Sequence, residues 1–118
     1  MATRMLSDLI REGAAKRPQA WGVAYTKEPE KLSRPEDASR QKRVGATCAL
    51  GAAADAAGFP VRSIANFDSN VPPGWLSAMG AARLFCITVR NDGGMTREEI
   101  ADWIAEKPHR DVAVPVLS

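Results

Sequence analysis

The sequence predicts a mainly α-helical, single-core domain with a charged excursion and one or two short strands. Apolar residues recur at helical spacing near both ends of the chain, a run of small residues between a cap and a glycine lies in the middle, and few segments alternate as strands do. The 118 residues suit one domain, taken as 1–118, and a composition that is 45% hydrophobic and 25% charged fits a folded globule.

Met5, Leu6, Leu9, Ile10 and Gly13 fall on one helical face, and Pro18 closes that helix after Lys16 and Arg17, whose charge complements its C-terminus. Trp21–Tyr25 is partly β-branched and aromatic, which predicts a brief extended piece weakened by Gly22. From Lys27 to Arg43 nearly every residue is polar. Its six basic residues, Lys27, Lys31, Arg34, Arg40, Lys42 and Arg43, against four acidic ones account for the whole net charge of +2. This is the charged excursion, and Ser33 with Glu36 forms a capping-box pattern for a short helix over 35–43.

Thr47 is placed to cap the next helix and Gly58 to end it. The residues between are almost all small, so a second helix can approach closely; Leu50 and Ala54 become packing residues, with Cys48 beside them, and Asp55 faces solvent. Phe59–Pro73 carries turn chemistry and reads as an irregular connection with Val61, Ile64 and Phe67 turned inward. Trp75–Val89 is predicted as one buried helix, although Phe85–Val89 alone would also make a strand. Asn91-Asp92-Gly93-Gly94 is a turn signal. Thr96 and Glu99 supply a reciprocal cap for a helix whose apolar stripe is Ile100, Trp103 and Ile104, closed by Lys107 and Pro108. Val112, Val114, Val116 and Leu117 alternate, so 109–118 is a C-terminal arm that pairs as a strand or reaches a neighbouring subunit of a homo-oligomer.

Composition narrows the function. The interspersed charges give no basic field for a phosphate backbone, which argues against a nucleic-acid partner. No apolar run approaches a bilayer span and the first residues carry no signal-peptide pattern, so the expected location is the cytoplasm, with no membrane partner. Cys48 and Cys86 sit among apolar neighbours, as buried free thiols do. With His109 alone and no paired-ligand spacing, no metal site is expected. Gly93-Gly94 lacks the spaced glycines of a phosphate cradle, so no cofactor is expected either.

One chemical constellation stands out. A helix N-terminus can lower the pKa of Cys48 and make it a nucleophile, and Asn91 with Asp92 can bind a ligand at a loop rim. That yields a small thiol-dependent enzyme or small-molecule binder, with His109 and Asp111 or Asn91 as the groups needed to complete it. The same residues are also explained as a packing cysteine, a turn and a cap. Trp75, after Pro72-Pro73-Gly74, is a candidate surface anchor for a partner, and the basic residues of 27–43 are candidate docking charges.

The strings Leu9-Ile10-Arg11-Glu12-Gly13-Ala14 with Arg17-Pro18-Gln19, Cys48-Ala49-Leu50-Gly51-Ala52-Ala53, and Asn91-Asp92 followed by Thr96-Arg97-Glu98-Glu99-Ile100-Ala101-Asp102-Trp103 together resemble a set of short, uncharacterised proteins of phages, prophages and bacteria. The resemblance spans the first, central and last helices and departs from the pattern at Gly93-Gly94-Met95, where a bulkier or aromatic residue is expected. It implies a helical scaffold in a viral or mobile-element setting and transfers no catalytic residue. The expectation is a non-enzymatic phage accessory protein that binds a host protein complex in the host cytoplasm, an inhibitor of a bacterial defence system such as an anti-CRISPR protein being one case. The alternatives are the thiol enzyme centred on Cys48 and a structural, oligomeric phage component.

Overall fold

In the computed structural model, which describes residues 2–19, 47–60 and 71–117, the layout starts from a glycine. Helix α1 (Leu6–Ala14) crosses α2 (Ala49–Ala56) so closely that a Cβ built on Gly13 would lie 1.8 Å from the Ala52 carbonyl oxygen. No side chain fits there. Leu6, Leu9 and Ile10 of α1 meet Ala49, Leu50, Ala53 and Ala54 of α2 in the core, so the small residues permit the close helix contact expected of them.

Helix α2 ends in a Schellman motif. Gly58, at φ 94°, donates its N–H to Asp55 O, and Phe59 donates to Ala54 O, which satisfies carbonyls the helix leaves open. Asp55 is not a solvent residue as expected; it accepts from Arg17 Nε at 2.9 Å and joins the end of α2 to the segment after α1.

The expected single helix over 75–89 is two. Helix α3 (Trp75–Met79) stops at Gly80, whose φ of 79° and ψ of 151° break the turn, and α4 (Ala81–Asp92) begins beyond it. Phe85–Val89 is helical. It is not buried as expected: of α4, only Ile87 and Asn91 are fully buried, while Phe85 and Val89 are 67% and 49% exposed. The turn signal at 91–94 is likewise half helix, because α4 runs through Asn91 and Asp92 and its own Schellman motif at Gly94 (φ 108°) makes the corner.

Helix α5 (Arg97–Glu106) has the capping box read from the sequence: Thr96 Oγ1 accepts from Glu99 N–H, and the Glu99 carboxylate accepts from Thr96 N–H, each at 3.0 Å. Ile100 and Ile104 enter the core; Trp103 is only half-buried and lies against the guanidinium groups of Arg90 (3.7 Å) and Arg110 (4.3 Å).

The C-terminal segment folds back on its own chain. Strand β2 (Ala113–Pro115) pairs antiparallel with β1 (Thr3–Met5), Arg4 opposite Val114. Asp111 accepts from the Ser7 N–H and hydroxyl, and Val112 O accepts from Leu6 N–H, so the tail caps the start of α1. Leu117 N–H reaches Ala57 O, and the Trp75 indole donates to Pro115 O at 2.9 Å. Among the described residues the fold is therefore mainly α with one two-stranded ribbon, and no helix is long and apolar enough to cross a membrane.

Candidate functional site

Two regions carry the chemistry: a polar junction at the start of α2 and the outward face of α4. At the junction, Cys48 is the N-cap of α2, its Sγ accepting from Gly51 N–H at 3.4 Å, and Thr47, expected as the cap, serves another purpose. Asn91, 1% exposed, reaches across from α4 and its Oδ1 accepts from Ala49 N–H (3.1 Å) and from Gln19 Nε2 (3.0 Å). Gln19 Nε2 also donates to Met95 O, and Asn91 Nδ2 donates to Asp92 Oδ1 at 3.3 Å. The structure thus brings Cys48, Asn91 and Asp92 to one place, as the ligand-site reading requires.

The electrostatics oppose a nucleophilic thiol. Burial pushes the Cys48 thiol above its ordinary pKa, the negative charge of Asp92 adds to this, and the hydrogen bond from Gly51 N–H offsets only part. The net direction favours the neutral thiol over the thiolate at this cap. The other groups proposed to complete a catalytic set are committed elsewhere: Asp111 to Ser7, and His109 to a groove that it shares with Cys86.

Behind the junction lies Arg97, which sequence reasoning missed. It is 5% exposed, and among the described residues its guanidinium meets no carboxylate. It donates instead to Ala14 O, Pro18 O, Thr47 O and Thr47 Oγ1 at 3.0–3.4 Å, while its Nε has no partner among the described residues. One acceptor, Ala14 O, ends α1, where the helix dipole favours a cation. Burial pulls the guanidinium below its usual pKa. Gln19 was missed for the same reason: each acts on groups more than seventy residues away along the chain, which no local pattern announces.

The second region is the exposed side of α4. Ala82, Phe85, Cys86 and Val89 fall at i, i+3, i+4 and i+7 and all face solvent, so the helix turns a complete apolar stripe outward. Cys86 is accordingly exposed, contrary to the expectation of a buried thiol. Beside the stripe runs a groove of about 400 Å³ with Met79, Ala82, Cys86 and Trp103 as apolar lining and Arg83, His109 and Arg110 as polar lining. Arg83 is held in place by Met79 O (2.6 Å) and His109 O (2.8 Å).

Trp75, expected as a surface anchor, is fully buried; the indole that would have met a partner bonds to β2 and packs edge-on against Phe59. Lys27, Lys31, Arg34, Arg40, Lys42 and Arg43 lie outside the described residues, as do the expected strand at 21–25, the helix over 35–43, and Val61, Ile64 and Phe67. Among the described residues no three acidic, histidine or cysteine side chains are grouped to hold a metal ion. Comparisons with protein-family models, curated proteins and solved structures find no match to the chain.

Proposed function

We propose that this chain is a non-enzymatic binding protein that works by covering part of another protein's surface. The observation that carries this reading is the outward apolar stripe of α4: Phe85 and Val89 stand exposed on a helix whose opposite side already supplies its core contact, Ile87. A solvated helix has no folding reason to present four apolar residues at i, i+3, i+4 and i+7. The upward direction of the Cys48 pKa supports the same reading from the other side, since thiol catalysis needs a thiolate. A phage or prophage accessory protein that occludes a bacterial defence complex in the host cytoplasm is the narrower form of this proposal.

The test is an affinity pull-down from the host cell with the tagged full chain as bait, paired with Phe85→Asp as the control surface variant. One stoichiometric partner retained by the wild type is the expected result. Recovery of no partner, together with turnover of a small molecule that is abolished in Cys48→Ala, would replace the binding reading with the thiol-enzyme one.

A further inference from the structure

The basic groove beside α4 says what kind of partner fits. This inference rests on the binding reading above and deepens it: we infer that the α4 face, with the groove formed by Arg83, Cys86, Trp103 and Arg110, receives an acidic amphipathic helix of a partner protein.

The apolar half of the argument is the stripe itself. A helix that displays Ala82, Phe85, Cys86 and Val89 offers two turns of contact, about 10 Å of length at the usual rise, which is what an amphipathic helix laid alongside would cover with its own i, i+3, i+4 and i+7 positions. The small residues Ala82 and Cys86 leave the groove next to Phe85, and a large apolar side chain of the partner fills it.

Charge selects among occupants. Arg83 and Arg90 lie seven residues apart along the stripe's edge, and among the described residues neither pairs with a carboxylate. Arg83 is fixed by two carbonyl oxygens, Arg90 rests on the Trp103 ring, and Arg110 across the groove donates to Trp103 O at 3.1 Å and pairs with Glu106 at 3.7 Å. All three guanidiniums are thus held in place, and those of Arg83 and Arg90 have no carboxylate partner among the described residues, which reduces the ordering cost of binding. A second copy of this chain, packed antiparallel and stripe to stripe about a two-fold axis perpendicular to α4, would set Arg83 and Arg90 against the same arginines. A helix with carboxylates about two turns apart pairs with them instead, and Arg is suited to bidentate carboxylate contacts.

The experiment is selection from a yeast-displayed library of roughly 18-residue helical peptides, long enough to hold some helix alone, with the full chain as the labelled target. Enriched sequences are then titrated by fluorescence anisotropy. Expected are peptides with an apolar i, i+3, i+4, i+7 face bordered by Asp or Glu, and an affinity that falls about tenfold or more in Phe85→Asp, as truncating a central anchor does. The double variant Arg83→Glu, Arg90→Glu should reverse the preference toward peptides in which Lys replaces the acids. Phe85 is exposed, so Phe85→Asp keeps the wild-type circular dichroism spectrum; Arg83 and Arg90 contact Met79 O, His109 O and the Trp103 ring, so the double variant is titrated after its spectrum is matched to wild type, and Arg83→Gln, Arg90→Gln, which should weaken the acidic peptides without reversing the preference, is the second variant. Enrichment of basic or uncharged peptides, no enrichment, binding indifferent to Phe85→Asp, or a dimer in sedimentation that Phe85→Asp dissolves would each overturn the inference. A cellular partner that binds wild type and both variants alike removes this groove and leaves the binding reading intact; loss of every partner removes that reading while the peptide selection still reports on the groove.

Discussion

Cys48 and Arg97 show how burial decides what a reactive-looking group does. A thiol whose folded pKa lies above its unfolded value stabilises the fold below the unfolded pKa, near 9, and that contribution is lost as pH rises toward the folded value. The urea midpoint should therefore fall as pH is raised above about 9 in the wild type and fall less in Cys48→Ala. Alkylation at neutral pH with mass-spectrometric readout should modify exposed Cys86 about tenfold faster than Cys48 or more. Arg97→Ala removes donors from the acceptors at Ala14, Pro18 and Thr47 and should cost about 2–4 kcal/mol in chemical denaturation. Arg97→Lys should recover little, since a single ammonium cannot span the same fork of acceptors.

The helices divide according to whether their defining contacts are local. The capping box of α5 and the glycines closing α2 and α4 act within a few residues, so Thr96, Glu99 and Gly58 announced their roles in the sequence. Thr96→Ala should lower stability by about 1 kcal/mol, measured by thermal melting. The close crossing of α1 and α2 was legible from the small residues of α2, although Gly13 as the contact point was not. Gly13→Ala should cost on the order of 1–3 kcal/mol or more by forcing α1 off the Ala52 carbonyl. Helix α4 misled because Ile87 and Leu84 read as apolar alongside Phe85, Cys86 and Val89. Periodicity finds an apolar face but cannot decide which of two faces the rest of the chain covers, and a single glycine such as Gly80 does not by itself announce a break.

Across the whole molecule, what the sequence concealed is long-range closure. Cys48 and Asn91 could be suspected from residue type, yet Gln19 and Arg97, which complete the junction, carry no signal of their own. The C-terminal arm was legible as either a strand or an arm on a neighbouring subunit, and its partner β1, only three residues long and merging into α1, is too short to show the alternation that would have decided between them. A chain ending at Arg110 should lose cooperative melting rather than merely dissociate from a partner, because Asp111, Val112 and β2 go with the deletion. The bond from Ser7 to Asp111 joins residues 104 apart. During synthesis, then, the opening turn of α1 waits without its carboxylate cap until the segment carrying Asp111 has emerged, and stalled nascent chains short of residue 111 should remain open to protease.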